Sequence, residues 1–318
     1  FQPDFVWIKD RDATDWHWWN DAARGATKTL HSNVNNAEST QATSITAFGT
    51  DGFTLGNDGS VNRNNDNYVS WNWKGGTTSG LSGGTITPSS YSINATSGFG
   101  VYKYTGNSTS GATIAHGLGK VPTMILVKRL DSNKEWQIYH TALGNGKWLE
   151  FTTGTPQTNV SRWNNTSPTS TLFYLGNDSD VNNSSGTYVA YVFCDVTGYS
   201  KMGIYAGNAN ADGTFVYTGF KPAFVLIKRT STSGGFWVIN DNKRNNRSDT
   251  ANTNPSDEWL YASANDAEYD ATNYPMDLLS NGFKVRHTGG YQNTANDYIY
   301  MAFGQSIVGS NNIPATAR

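Results

Sequence analysis

Three ten-residue stretches of this sequence share one pattern: FQPDFVWIKD from Phe1, KVPTMILVKR from Lys120 and FKPAFVLIKR from Phe220. In each stretch a proline stands six residues before a lysine, and the run between them is apolar, β-branched or aromatic. Such a run after a proline is typical of a buried β-strand, because these side chains pack well on a pleated surface. The pattern therefore predicts an internally repeated β protein.

A second short strand is predicted after each lysine. A tryptophan opens it seven to nine residues further on, in WHWWND from Trp16, WQIYH from Trp136 and WVIND from Trp237. A gap of variable length is typical of a hairpin loop. When the three tryptophans are aligned, period two places one set of side chains on the core face: Trp16, Trp18, Trp136, Ile138, Trp237 and Ile239.

The tightest spacing in the sequence runs from a phenylalanine to a tyrosine. Phe53 to Tyr68, Phe173 to Tyr188 and Phe283 to Tyr298 are each 15 residues apart. A strand, an Asn- and Gly-rich turn and a second strand would produce this spacing. On the second strand, period two predicts these core residues: Val69, Trp71, Trp73, Val189, Tyr191, Phe193, Ile299, Met301 and Phe303.

The fold class that follows is all-β, with little helix. We predict three tandem repeats of about 100 residues, arranged in a row, each an antiparallel, jelly-roll-like β-sandwich. The predicted units are residues 1–97, which include the linker KGGTTSGLSGGTITPSS from Lys74, then 98–198, and then 199–318 with a C-terminal tail.

One further element occurs only twice, as YKYTGN from Tyr102 and GIYAGN from Gly203. The first repeat is therefore predicted to be incomplete at its N-terminal side. We expect the gene to encode another strand pair before Phe1, ending in a sequence such as YTGFQP.

Charge and hydropathy argue against several classes of protein. The chain has 23 basic and 25 acidic residues, a net charge of -2 and no long run of either sign. A nucleic-acid groove is therefore not expected. Membrane insertion is not expected either, because no apolar run approaches the roughly 18 residues that a spanning helix needs.

The sequence carries no recognisable catalytic or metal-binding motif. Its five histidines lack the spacing of a zinc site. A glycosidase would need two neighbouring carboxylates, and none of the available acids recurs in all three repeats: Asp15, Asp58, Asp178, Glu135, Glu150 and Glu258. We therefore predict that the protein is not an enzyme and needs no cofactor. Calcium in DRDATD (Asp10, Asp12 and Asp15) or in NDSDVNN is the alternative to solvated turn carboxylates.

Four aromatic residues are candidate contacts for a ligand or a partner. Trp19 and Tyr139 lie on the predicted face opposite the core, where they could stack on a sugar ring or anchor a subunit contact, unless a neighbouring repeat covers them. Trp163 in SRWNNTS and Tyr291 in GGYQNT belong to polar loops.

Taken together, the repeats resemble an uncharacterised repeat family of virion proteins from tailed bacteriophages, especially marine and cyanobacterial phages. The stretches that carry the resemblance are TIAHGLGKVPTMILVKR, STLFYLGNDSDVNNSSGTYVAYVF, DGTFVYTGFKPAFVLIKR, LLSNGFKVR and YIYMAFGQSIVGSNNIPATAR. The chain departs from the family at FGQSIV, where relatives often have Ala-Glu and Pro-Phe after the Ala-Phe.

The resemblance implies a structural component of the virion, such as a tail fibre, spike or adhesin that recognises a host-surface glycan. The implied partners are other virion subunits and further copies of the chain, with a trimer as the form usual for a fibre. A capsid-decoration or head-fibre protein is the alternative within a virion. A carbohydrate-active enzyme and a secreted lectin are the alternatives from other classes.

Overall fold

The computed structural model describes residues 1–151, 154–244 and 254–304. These residues form β-strands joined by turns, with two one-turn α-helices and a 3-10 turn at Thr141–Leu143. None of the helices in these ranges is long and apolar enough to cross a membrane. Residues 305–318, which hold most of the closing motif and of FGQSIV, lie outside the described residues.

The first large sheet is built from residues 5–73. Its part of the chain contains β1 (Phe5–Asp10), β2 (Trp18–Asp21), β3 (Gly25–Leu30), β4 (Ser39–Thr40), β5 (Ile45–Gly49), β6 (Gly52–Leu55), α1 (Gly59–Asn62) and β7 (Tyr68–Trp73). The large sheet has the order β4-β3-β2-β1-β7, and β5 pairs with β6 in a separate small sheet.

The second large sheet begins at Ser90, before the predicted unit boundary at residues 97/98. Its part of the chain contains β8 (Ser90–Asn94), β9 (Phe99–Thr105), β10 (Ala112–Ala115), β11 (Pro122–Arg129), β12 (Gln137–His140), β13 (Lys147–Trp148), β14 (Gln157–Thr158), β15 (Leu172–Leu175), α2 (Ser179–Asn182) and β16 (Thr187–Cys194). The order is β12-β11-β16-β9-β8, with β10-β15 and β13-β14 as small sheets. Because β8 pairs with β9, this sheet includes residues on both sides of the 97/98 boundary.

The third large sheet has the order β17-β25-β19-β20-β21-β22, and a small sheet has the order β18-β24-β23. The strands are β17 (Ser200–Ala206), β18 (Phe215–Tyr217), β19 (Pro222–Arg229), β20 (Trp237–Asp241), β21 (Glu258–Tyr261), β22 (Tyr269–Asp270), β23 (Met276–Leu279), β24 (Gly282–Val285) and β25 (Asp297–Gly304).

The same set of three antiparallel strands recurs in each large sheet: β2-β1-β7, β12-β11-β16 and β20-β19-β25. Their registers also correspond. Trp7 pairs with Trp71, Leu126 with Tyr191, and Leu226 with Met301. The all-β, antiparallel fold class predicted from the sequence is therefore confirmed.

The inward faces of the three large sheets share one apolar core. Every residue predicted to face the core on β7, β16 and β25 belongs to it or packs against it. Rings from different sheets meet there: the centroid of Trp7 lies 6.3 Å from that of Phe224, and Trp73 lies 5.5 Å from Phe303. The expected arrangement in a row is therefore wrong, because each sheet buries its face against the other two.

The outer face of each large sheet forms a second layer with its own small sheet. Val6 and Ile8 pack with Ile45 in the first, Ile125 with Phe173 in the second, and Val225 with Phe283 in the third. These layers give each unit the predicted sandwich character, because the alternating side chains of the large sheet are apolar on both faces.

The constant spacing from phenylalanine to tyrosine has a structural cause. The hydroxyl of Tyr68 donates to the carbonyl of Gly59 (2.7 Å), and that of Tyr188 donates to Ser179 (2.7 Å). Each hydroxyl also accepts an N–H from the residue after the helical turn, Arg63 or Asn183. The tyrosine thus fixes the length of the turn.

Ring N–H groups join the three large sheets in a cycle. Trp136 Nε1 donates to the carbonyl of His31 (2.8 Å), and Trp237 Nε1 donates to that of Glu150 (2.9 Å). His17 takes the corresponding place in the first sheet, with Nε2 3.0 Å from the carbonyl of Tyr261. Because His17 Nδ1 accepts from Trp7 Nε1 (2.8 Å), the proton is on Nε2.

Candidate functional site

Three of the four aromatic residues predicted to meet a ligand are buried. Trp19 is 2 % exposed in the shared core, and its ring lies 4.7 Å from that of Trp136. Tyr139 is 3 % and Trp163 is 2 % exposed, and the two rings form an edge-on pair 5.9 Å apart. Neighbouring layers thus cover all three rings: Trp19 and Tyr139 are not exposed platforms, and Trp163 is buried although its segment is polar.

Tyr291 is half-buried in an aromatic cluster of the third unit. Its ring lies 5.1 Å from Phe236 and 6.0 Å from Tyr261. A ligand role for Tyr291 stays a prediction.

Trp16 was assigned to the core but is 41 % exposed. The error has a simple origin: the residue that corresponds to Trp136 is His17, eight residues after the lysine in both sheets. A shift of one residue exchanges the two faces of a strand. Trp19 therefore lies in the core, Trp18 packs on the outer face, and Trp16 falls just outside β2 at the surface.

The exposed ring of Trp16 borders a groove of about 440 Å³, which we call the Trp16 groove. The groove lies where the first large sheet meets the loop between β11 and β12. Its lining combines three aromatic rings with small polar side chains: Trp16, Trp18, His31, Asn36, Ala37, Ser39, Gln41 and Asn133. A concave site of this size, with an apolar wall and a few polar groups, is suited to a small ligand.

Hydrogen bonds across the groove fix its polar wall. Asn133 Oδ1 accepts the backbone N–H of Ala37 (2.9 Å), and the N–H of Glu38 donates to the carbonyl of Leu130 (2.9 Å). The exposed side chains of Asn36 and Asn133 lie on either side of this junction. The wall thus presents amide groups held by two different sheets.

The floor of the groove is an uncharged imidazole. His31 Nδ1 donates to the carbonyl of His17 (3.0 Å), and the ring meets Trp16 at 4.9 Å and Trp18 at 5.0 Å, both edge-on. Burial lowers the pKa of His31 to about 4. The lining residues therefore carry no charge near neutral pH.

The same place in the other two sheets holds different chemistry. His31 follows Leu30 on the strand beside β2, and Glu150 and Tyr261 follow the corresponding Leu149 and Leu260. In the third sheet Phe236 stacks on Tyr261 at 4.5 Å. In the second sheet Glu135 corresponds to Trp16, and Glu150 corresponds to His31. Burial and the neighbouring Glu135 raise the pKa of Glu150 to about 7.

The carboxylates proposed for calcium have protein partners. Asp10 and Asp15 both contact the guanidinium of Arg63, at 3.4 and 2.9 Å, and Asp12 accepts from the amide of Asn67. In NDSDVNN, Asp178 caps α2 and also pairs with Arg162, as does Asp180 at 2.8 Å. No group of three or more metal-ligating side chains occurs within residues 1–151, 154–244 and 254–304. A calcium site stays a hypothesis.

Sequence comparison places the chain in a family without assigning it an activity. Residues 1–306 match a domain of unknown function, DUF7483. No curated protein and no solved structure matches the chain.

Proposed function

The chain belongs to the DUF7483 family, and we propose that it is a structural recognition subunit that binds a neutral glycan in the Trp16 groove. The observation that carries this proposal is the exposed indole of Trp16 beside a wall of amide and hydroxyl side chains. We further propose that the protein acts in a phage virion, as part of a tail fibre, spike or adhesin.

The chemistry of the groove favours a sugar. One face of a pyranose ring is lined with C–H groups that can stack on an indole, and its edge carries hydroxyls that exchange hydrogen bonds with amides. Trp16 supplies the first kind of contact, and Asn36, Gln41 and Asn133 supply the second. The neutral His31 makes the groove better suited to an uncharged sugar than to an acidic one.

Rigid support makes the groove a credible recognition site. Trp18 and His31 are both 6 % exposed, and His31 is held by its bond to the backbone of His17. Loops on a rigid sheet can vary in sequence without cost to the core. The different residues at the corresponding places of the second and third sheets fit such variation.

The direct test is a glycan array followed by calorimetric titration of any hit. We expect the wild-type protein to bind neutral glycans and Trp16→Ala to lose at least tenfold in affinity. Tyr217→Ala is the matched control, because Tyr217 is 59 % exposed and lies on the third sheet's outer layer. Equal binding by wild type and Trp16→Ala would refute the assignment of the site.

The virion setting needs a separate measurement. Mass spectrometry of purified particles and gold-labelled antibody to this chain would locate the protein. Label at the tail or at fibre tips supports host recognition, whereas label over the head supports the decoration-protein alternative. Absence of the chain from the particle would contradict both and favour a secreted lectin.

A second candidate function rests on Glu135 and Glu150. A carboxyl group with a pKa near 7 beside a second carboxyl group is the arrangement that a glycosidase uses for its acid and its base or nucleophile. Hydrolysis of an array-positive oligosaccharide by wild type, but not by Glu150→Gln, would establish this activity. Unchanged hydrolysis in Glu150→Gln, or none in wild type, would exclude this site as its source.

A further inference from the structure

The third unit carries an aromatic cluster that is open at the surface. One ring of this cluster, that of Trp259, is 1 % exposed. Five others lie around it, and we call the whole set the third-unit aromatic cluster: Phe236, Trp259, Tyr261, Tyr269, Tyr274 and Tyr291. Tyr269 is 46 % exposed, and the remaining four outer rings are half-buried. Aromatic surface in this part of the molecule is therefore accessible to a ligand.

The outer rings of the cluster are arranged as a stack with one upright neighbour. The ring of Tyr261 lies 4.5 Å from that of Phe236 at an interplanar angle of 23°, and 6.5 Å from that of Tyr269 at 26°. Tyr291 meets Phe236 edge-on at 5.1 Å and Tyr261 edge-on at 6.0 Å. The cluster thus presents several ring faces within a small area of the surface.

The loop that leads to Tyr269 is fixed by the first unit. The side-chain amide of Asn265 donates to the carbonyl of Thr14 (3.1 Å), and the N–H of Glu268 donates to the carbonyl of Arg11 (2.8 Å). The carboxylate of Glu268 also pairs with the guanidinium of Arg11. Because Tyr269 is the next residue, its position is set before a ligand arrives, which lowers the entropic cost of binding.

The tyrosine hydroxyls of the cluster differ from those of the core. Six core tyrosines use their hydroxyls in hydrogen bonds within the protein: Tyr102, Tyr104, Tyr188, Tyr191, Tyr205 and Tyr298. The hydroxyls of four cluster tyrosines make no hydrogen bond within the described part of the chain: Tyr261, Tyr269, Tyr274 and Tyr291. These four rings are therefore not placed by a structural hydrogen bond of their own.

The electrostatic potential at the cluster is negative. Burial is the largest cause that raises the pKa of Tyr261, and the hydroxyls of Tyr291 and Tyr269 and the carboxylate of Asp266 raise it further. A raised phenol pKa means that an additional negative charge is unfavourable at this place. The same groups favour a positive charge on a bound ligand.

Carboxylates without an ion pair border the cluster. Asp257 directly precedes β21, and period two places it on the same face as Trp259 and Tyr261. Its Oδ1 is buried and has no hydrogen-bond donor among the described residues. Asp266 and Asp270 are exposed on either side of Tyr269. A buried carboxylate oxygen without a partner is costly, so a cation near Asp257 would be stabilising.

No cation of the described residues lies over the rings of the cluster. Four aromatic rings elsewhere in the protein are each covered by an arginine or a lysine: Trp71, Trp148, Tyr188 and Tyr217. Lys9 attracts Asp266, but its ammonium group is buried and donates to the carbonyls of Asp10 and Ala13. The cluster therefore offers ring faces and negative charge, and the cation that would match them has to come from a ligand.

From these observations we propose that the third-unit aromatic cluster binds an organic ammonium group, with the cation against the rings of Tyr261, Tyr269 and Tyr291. A cation is attracted to the face of an aromatic ring within about 6 Å of its centroid, and the carboxylates at the border add to this attraction. The ammonium group belongs to a choline-type headgroup or to the protonated amine of an amino sugar. This site is separate from the Trp16 groove, whose lining is uncharged and whose proposed ligand is neutral.

The test uses two cationic probes, choline and glucosamine, each with a neutral counterpart. The counterparts are 3,3-dimethyl-1-butanol, which has carbon in place of the choline nitrogen, and N-acetylglucosamine. In an NMR titration of the full chain, we expect saturable shifts of the amides of Tyr261, Tyr269 and Tyr291 with at least one cation, and at least fivefold weaker binding of its counterpart. A response to choline alone identifies a quaternary headgroup, and a response to glucosamine alone identifies an amino sugar. Equal affinity for a cation and its counterpart, or no saturable shift with either cation, would overturn the proposal.

Variants at exposed positions assign the site without disturbing the fold. Tyr269→Ala removes a ring face and Asp266→Asn removes a charge, and each should weaken binding of the cation at least threefold. Tyr217→Ala is the control for the ring, because Tyr217 is 59 % exposed but already lies beneath the ammonium of Lys201, 5.3 Å away. Asp51→Asn, at an exposed carboxylate of the first unit, is the control for the charge. Unchanged affinity in both Tyr269→Ala and Asp266→Asn would overturn the assignment.

Trp16→Ala separates this site from the Trp16 groove. The variant should keep the wild-type affinity for the cation, because Trp16 is not part of the third-unit aromatic cluster. Loss of cation binding in Trp16→Ala would place the ammonium group in the groove and overturn the proposal. A wild-type protein that binds the cation at Tyr269 but binds no neutral glycan would support this site while refuting the function proposed for the groove.

Discussion

The indole N–H of Trp71 donates to the carboxylate of Asp241, 3.0 Å away, across the contact between the first and third large sheets. Tyr191 makes the corresponding contact from the second sheet, where its hydroxyl donates to Asp21 of the first (2.6 Å). In each case the carboxylate is also bound by a buried arginine three residues later. Polar side chains thus connect the sheets at the rim of an otherwise apolar core.

Removing the arginine from the third sheet should be strongly destabilising. Arg244 is almost fully buried and bridges Asp241 (2.6 Å) and Glu268 (2.7 Å), while also donating to the carbonyl of Ile239 (3.0 Å). Arg244→Met leaves the buried carboxylate of Asp241 without its cation, while Glu268 keeps only its pairing with Arg11. We expect the free energy of unfolding to fall by about 3–5 kcal/mol, measured by urea denaturation.

Arg63→Met is the control for this prediction. Arg63 also contacts several carboxylates, Asp10, Asp15 and Asp66, but its side chain is 44 % exposed. Water can replace the contacts to the partly exposed Asp15 and Asp66, and Asp10 keeps the backbone N–H groups of Asp12 and Ala13, so the loss of stability should be much smaller. A loss in Arg244→Met no larger than that in Arg63→Met would show that the buried network adds little to stability.

The ring N–H cycle between the sheets gives a second prediction. Trp136→Phe keeps an aromatic ring in the core but leaves the carbonyl of His31 without its donor. We expect a loss of about 1–3 kcal/mol, measured by thermal and chemical denaturation. Trp18→Phe is the matched control, because Trp18 is also buried but its Nε1 has no hydrogen-bond partner among the described residues. Equal losses of stability in the two variants would mean that the smaller ring, and not the lost hydrogen bond, is the cause.

Much of the fold could be predicted from spacing. The tyrosine that ends each 15-residue interval closes a turn through its own hydroxyl, so the interval cannot vary, and the register of β7, β16 and β25 follows from it. The loop of the preceding hairpin, from β1 to β2 in the first sheet, varies in length among the three sheets. An alignment on the first tryptophan therefore shifted β2 by one residue and exchanged the predicted faces of Trp16 and Trp19.

Other features depend on how the sheets meet, which no local pattern encodes. The shared core joins residues as far apart as Trp7 and Phe224, and the Trp16 groove needs Asn133 from another sheet. One signal for the groove was present: counting forward from Lys9 and Lys128 by a constant eight residues aligns His17 with Trp136 and leaves Trp16 outside the core strand.

Acid should destabilise the protein through its histidines. Burial is the largest cause that lowers the pKa of each one: His17, His31, His116, His140 and His287. Below the unfolded-state pKa near 6.5, the unfolded chain binds protons that the folded chain does not. The free energy of unfolding therefore decreases as the pH is lowered. Glu150 and Glu258, whose pKa burial raises to about 7, oppose part of this trend.

The measurement is urea denaturation between pH 7 and pH 5. We expect the free energy of unfolding to decrease over this range, and His140→Gln to reduce the slope because it removes one of the five groups. His140 has its pKa lowered to about 4 and lies far inside the protein, with Nε2 3.3 Å from the carbonyl of Tyr300. Stability that is constant or that rises toward pH 5 would contradict the prediction.

The three lysines of the repeated pattern should make the stability of the fold depend on pH in the alkaline range. Lys9, Lys128 and Lys228 are fully buried, and each ammonium group donates to a backbone carbonyl, that of Asp10, Arg129 or Gly235. Burial lowers the pKa of each to about 8, from 10.5. Between these values the unfolded chain holds more protons than the folded chain, so each lysine makes stability rise with pH.

Lys128→Met isolates this contribution. The slope of unfolding free energy against pH, measured between pH 8 and pH 9.5, should fall by up to about 1.4 kcal/mol per pH unit relative to wild type. Cys194 and the buried tyrosines titrate in the opposite sense at higher pH but are common to both proteins and cancel in the difference. Lys74→Met, at an exposed lysine, should leave the slope unchanged. An unchanged slope in Lys128→Met would mean that Lys128 keeps its proton in the folded protein, held by the carbonyl of Arg129.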